Sequence, residues 1–158
     1  MKKSFKIITT IIAVLLLGFN AKSQTLLTPT ELIHAYQLND SSINTMLSVK
    51  GYQIQHTQEV NGQKTITWHF QVRPGEISDL YFLKITSTQK TTIRYWIMNA
   101  FFYKQFMDNV VKENYKFAEI RIIDKECYSV FKKEDKQLLI SQKRVIGQDD
   151  NYFEIMIN

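Results

Sequence analysis

Three histidines, one cysteine and 15 scattered acids are the side chains in this sequence that could do chemistry. His56 and His69 come first, because two imidazoles on one face of a hairpin can share a metal. They flank an Asn61-Gly62 dipeptide, which usually marks a two-residue type I′ loop. In that register the two rings lie diagonally on one face. A three-residue loop over 60–62, with Gly62 in the left-handed region, instead pairs Tyr52 with Phe70, Ile54 with Trp68 and His56 with Ile66. The second register makes one continuous apolar face, and burial of a face fixes register more firmly than turn preference does. The histidines are then expected on opposite faces, with no Cys or carboxylate placed to complete a metal site. His34 sits beside Ile33 in a helical stretch and reads as a partly exposed helix residue. Cys127, in "KECYSVF", alternates with apolar neighbours and reads as a buried small hydrophobe with no base beside it in sequence.

The other reactive constellations are missing from the string. There is no G-x-S-x-G and no glycine-rich phosphate loop. The acids of "EDK" (134–136) and "DD" (149–150) fall in turns, where carboxylates stay solvated and ionised and suit no acid/base role. A glycosidase pair could still assemble from distant residues, for example Glu59 with Glu119. No catalytic residue, no metal ligand and no cofactor follows from these residues, so the reading is more of a non-catalytic protein than of an enzyme.

Binding residues are easier to nominate. "RYWIMNAFFYKQF" (94–106) is the densest aromatic stretch, and it joins a strand to a helix. Most of it reads as core, with Arg94, Trp96 and Tyr103 as candidates for exposure; Trp, Tyr and Arg are the usual anchors of protein interfaces. Gln53, Gln55, Thr57, Thr65, Thr67 and His69 form a polar strand face, a broad uncharged surface that suits a protein or a glycan. The candidate interface is therefore Gln53, Gln55, Thr67, His69, Arg94, Trp96 and Tyr103.

These residues need a scaffold, and the first question is which part of the chain supplies it. "MKKSFKIITTIIAVLLLGFNAKSQ" has lysines at 2, 3 and 6, an apolar run over 7–19, and small residues at Ala21 and Ser23. That order is a Sec-type signal peptide over 1–23, with the cut expected between Ser23 and Gln24 and the product periplasmic or extracellular. The apolar run is short for a bilayer span, which takes about 20 residues. No cysteine follows it for lipid attachment, so no stable membrane insertion is expected after cleavage. The full chain carries 20 Lys+Arg against 15 Asp+Glu. Cleavage removes Lys2, Lys3, Lys6 and Lys22 and no acid, leaving 16 against 15, or +1. A nucleic-acid partner is not expected, since no basic patch survives; clusters such as "FKKEDK" (131–136) read as solvated turns.

The remaining 24–158 is rich in aromatics and poor in Gly and Pro, and so folds as a packed domain. A lone cysteine makes no internal disulfide, so the core alone must hold it. Thr28 caps a helix with Pro29 in its first turn and Glu31 closing a capping box. "NDSS" (39–42) interrupts, Asp40 or Ser41 caps a second helix, and Gly51 stops it. Strands are expected near 52–59, 64–72, 79–87 and 91–98. A helix over 99–114 carries Phe102, Phe106, Met107 and Val110 on one stripe and ends at Asn114. Four more strands follow near 115–123, 126–132, 137–145 and 151–157. The pattern predicts an α+β fold of two helix-plus-four-stranded antiparallel meander units in tandem, 24–98 and 99–158, with helices on one face of the sheet.

The helix-turn-helix at 29–50, the "KGY" and "ENY" helix exits and the two meanders together resemble the secreted β-lactamase inhibitor proteins. The resemblance is one of layout and covers 28–158. It implies a sheet used as a concave protein-binding surface. It departs from that family in having one cysteine where the family uses disulfides, and it transfers no binding residue. The reading that follows is an exported non-catalytic protein that binds an envelope or extracellular protein through its sheet face. Two alternatives stay open: a small secreted hydrolase acting on glycan, and a structural envelope protein that self-associates along its sheet edges.

Overall fold

The computed structural model of the chain describes residues 25–71, 79–144 and 151–158. The signal-peptide segment, the 73–78 connection and the acids at 149–150 lie outside these residues. Among the described residues three helices, α1 (Pro29–Gln37), α2 (Asp40–Val49) and α3 (Ala100–Lys112), accompany eight strands. The strands are β1 (Gln53–Val60), β2 (Gln63–Phe70), β3 (Leu80–Thr86), β4 (Thr91–Ile97), β5 (Lys116–Ile123), β6 (Glu126–Lys133), β7 (Lys136–Arg144) and β8 (Asn151–Ile157).

The helices begin and end where local chemistry puts them. Thr28 accepts from the Glu31 N–H while Glu31 reaches back to the Thr28 N–H, and Pro29 opens α1. Asn39, rather than Asp40 or Ser41, caps α2 by accepting from the Ser42 N–H. Asp40 is used otherwise: it takes Lys64 at 2.7 Å and Lys84 at 2.9 Å. Lys84 also donates to the Leu38 carbonyl at 2.8 Å, so a buried lysine of β3 fastens the turn between α1 and α2 to the sheet. The exits of α2 and α3 use Gly51 at φ 87° and Asn114 at φ 65°, the left-handed conformation that ends a helix cheaply only in such residues.

The fold is α+β, but the expectation of two tandem units is overturned. All eight strands form one antiparallel sheet in the order β1-β2-β3-β4-β8-β7-β6-β5. The closing strands pair with each other, Tyr95 opposite Ile155 and Trp96 opposite Glu154. One main core gathers apolar residues of all three helices against Trp68, Phe82, Tyr95, Leu138 and Ile155, with no boundary between halves. The reason lies in β4 and β8. Each carries a full inward apolar set, and residues 154–157 are buried on both faces of β8. Such strands cannot end a sheet, and joining them covers both edges at once.

The β1–β2 register also differs from the expected one. Val60 pairs with Gln63, and Asn61 and Gly62 both have positive φ, so the loop has two residues. Yet Ile54 still faces Trp68, because a bulge at Gln55 absorbs one residue. The turn chemistry decides the tip and burial decides the base. The β5–β6 hairpin is built alike, with Asp124 and Lys125 at positive φ and a bulge between Phe117 and Glu119.

The helices cover one face of the sheet. The opposite face, called here the open face, has its own smaller apolar cluster of Tyr128, Val130, Leu139 and Met156.

Candidate functional site

The open face is built around one carboxylate. Glu154 sits on β8 and is 1% exposed. Tyr128 of β6 donates its hydroxyl to Oε1 at 2.6 Å. Trp96 of β4 donates its indole N–H to Oε2 at 2.9 Å, and Arg94 of the same strand reaches Oε2 at 3.2 Å. Lys143 of β7 stands 3.6 Å from Oε1 and also bonds Glu126 at 3.2 Å. Its ammonium lies 5.0 Å from the centre of the Tyr128 ring. Burial pushes the Glu154 carboxyl up, but the Tyr128 and Trp96 hydrogen bonds and the two cations more than offset it, and it is held below the ordinary carboxylate range. Burial, reinforced by the Glu154 charge, pushes the Tyr128 hydroxyl well up. Glu154 is therefore a fixed anion with each oxygen hydrogen-bonded, which suits a structural anchor and not a general acid.

The anchor holds Trp96, one ring of an aromatic row. His69 of β2, Tyr81 of β3, Trp96 of β4 and Tyr152 of β8 follow one another across four strands, with ring centres 6.5, 6.1 and 5.4 Å apart. Cross-strand pairing sets this spacing: Tyr81 lies opposite both His69 and Trp96. All four rings are partly exposed. At one end of the row a hollow of about 190 Å³ opens between Lys90, Arg94, Lys143, Asp124 and Glu126. Arg94 Nε is buried there without a hydrogen-bond partner. At the other end a hollow of about 210 Å³ is lined by Gly51, Gln53, His69 and Gln71.

Five of the seven nominated residues share this face: Gln53, opposite His69, then Thr67, His69, Arg94 and Trp96. Gln55 occupies the β1 bulge and is exposed. Tyr103 lies elsewhere: its ring stacks on Phe153 at 3.6 Å on the helix side of the sheet. Tyr81, Tyr128, Lys143, Tyr152 and Glu154 did not stand out in the string. Strict alternation in "NYFEIMI" puts Tyr152, Glu154 and Met156 on one face, a signal that a polar residue lies among buried ones.

The chemical candidates end differently. The Gln55 bulge moves His56 opposite Thr67, onto the same face as His69, which corrects the expected opposition. Among the described residues no group of three or more His, Cys, Asp and Glu is placed to hold a metal. Glu59 and Glu119 lie on β1 and β5, the two outermost strands, and are kept apart by the width of the sheet. Cys127 is exposed, not buried. Among the described residues no helix is long and apolar enough to cross a membrane. No family model, curated protein or solved structure matches the chain.

Proposed function

We propose that this is a non-catalytic binding protein that grips another protein across the open face of its sheet. The observation that carries the reading is the row His69–Tyr81–Trp96–Tyr152 with Arg94 beside it, in which Trp96 and Arg94 are held by the buried Glu154. Tyr, Trp and Arg concentrate binding energy because they offer large contact area at small entropic cost. Anchoring lowers that cost further, since Trp96 and Arg94 are already held by the Glu154 carboxylate before a partner arrives. The leader-like sequence of 1–23 supports a partner in the envelope or outside the cell. The partner chemistry that fits is an apolar protein patch over the rings, flanked by a carboxylate for the cationic side of the hollow at Lys90 and Arg94.

Site-specific photocrosslinking tests this reading. A photoreactive phenylalanine replaces Tyr81 in one sample and Val49, exposed on α2, in another. Expressed in the native host, the Tyr81 probe is expected to trap one dominant protein that the Val49 probe does not. Trp96→Ala should weaken that capture at least about tenfold. Retention on cell-wall glycan that Trp96→Ala abolishes, with no protein trapped, would move the face to a carbohydrate ligand.

A further inference from the structure

We infer that the protein forms a two-fold dimer through its β5 edge, joining two sheets into one continuous antiparallel sheet centred on Ile120. This rests on neither the open face nor its partner. β5 ends the sheet, so among the described residues one side of its backbone meets no other strand. Its residues Phe117, Ile120 and Ile122 are 57%, 64% and 75% exposed. All three lie on the helix side, opposite Phe131, Ser129 and Cys127. An edge strand with such a row is a template for another strand.

The charges on the other side of β5 say which strand. Glu119 and Arg121 flank Ile120 and bond each other along the strand, with Lys132 3.6 Å from Glu119. Pairing β5 with its own copy about Ile120 sets Glu119 opposite Arg121 of the second copy, twice. Sliding the centre by one residue either way sets Arg121 against Arg121 or Glu119 against Glu119, which like charges oppose. The neutral centre at Ile120 is therefore the register that the sequence selects. It also stacks Ile120 on Ile120, with Ile122 of one copy beside the Phe117 end of the other. The opposite edge makes a poor mate. β1 reads Gln-Ile-Gln-His-Thr-Gln-Glu-Val, so polar residues hold most of its length. A β5-to-β1 contact would also leave an edge free and grow without closing.

The test uses protein expressed from the full coding sequence and measured by analytical ultracentrifugation. A dimer at micromolar concentration that dissociates on dilution is expected. Arg121→Glu should weaken it at least about tenfold, because it places like charges across both symmetric pairs. The double exchange Glu119→Arg with Arg121→Glu restores complementarity and should recover the affinity to within about threefold. In a Cys127→Ser background, Ile120→Cys should oxidise to a covalent dimer, since directly opposite antiparallel residues stand about 4.5–5.5 Å apart at Cα, within disulfide reach. A monomer at every concentration, an assembly that keeps adding copies, or a dimer that neither Arg121→Glu nor Ile120→Cys affects would overturn the inference.

Discussion

The Trp96 indole donates to Glu154 Oε2 at 2.9 Å across the seam where β4 meets β8. That one bond joins the strand that closes the first four to the strand that closes the last four. It also turns a half-exposed ring into a fixed one. The same carboxylate holds Tyr128 from β6 and Arg94 from β4, so its oxygens tie together strands drawn from both ends of the chain. A single sheet with an anchored face follows from the contacts of this residue.

Removing the carboxylate should cost more than removing its charge. Glu154→Ala leaves Arg94 without its anion and Lys143, 13% exposed, with Glu126 alone. Breaking a buried pair this way costs about 3–5 kcal/mol. Glu154→Gln keeps an acceptor for the Trp96 N–H and should cost about 1–3 kcal/mol. Urea unfolding midpoints measure both, and equal losses for the two variants would mean that charge alone, and not the packing and remaining hydrogen bonds of the side chain, sets the role of this residue.

The same site fixes the sign of an acid response. The Glu154 carboxyl lies below its ordinary value of 4.5 in the folded protein, because its hydrogen bonds and cations outweigh burial. The folded state therefore binds fewer protons than the unfolded one near that pH. Its stabilisation is complete above about pH 4.5 and is lost as pH falls through the lower folded value. Asp40, depressed chiefly by its hydrogen bond to Lys64, adds to the same slope below its ordinary 3.8. Thermal melts in a pH series from 7 to 2.5 should show stability falling in acid, with a shallower fall for Glu154→Gln.

Local chemistry was legible in the string and long-range pairing was not. Thr28, Pro29 and Glu31 announce the start of α1 because a cap needs only neighbours. Gly51 and Asn114 announce the helix exits for the same reason. Five of the seven nominated residues share the open face because alternation fixes which side chains lie on one side of a strand. The Glu154 network was hidden because its partners lie on β4, β6 and β7, and nothing local says that β8 runs between β4 and β7. Cys127 shows the limit of alternation: parity gives a side of the sheet, not whether a helix covers it.

The two left-handed helix exits should respond differently to substitution. Gly51 stands at φ 87°, and a Cβ there would meet the Phe70 ring at 3.2 Å. Gly51→Ala adds both strain and crowding and should cost at least about 1–2 kcal/mol. Asn114, at φ 65°, already tolerates a side chain. Asn114→Gly should change stability by no more than about 0.5 kcal/mol, whereas Asn114→Ala should cost about 1 kcal/mol. Chemical unfolding of the three variants measures the order, and a Gly51→Ala protein as stable as Asn114→Gly would contradict it.

The Gln55 bulge makes a sharper prediction, because the register is already correct on both sides of it. Ile54 faces Trp68 below the bulge and His56 faces Thr67 above it. Deleting Gln55 leaves both pairs where they are and removes only the unpaired residue. Its side chain is exposed on an edge strand, so the deletion should cost less than about 1 kcal/mol. Deleting Thr67 from β2 is a different matter. β2 is paired on both sides, with Trp68 opposite Ile54 and Phe82. Losing one residue there slips the strand against both neighbours and turns its core residues toward the open face. That chain should fail to fold. Circular dichroism melts of the two deletions check the contrast, and comparable destabilisation by both would mean that the bulge itself, and not the register it preserves, is what the hairpin requires.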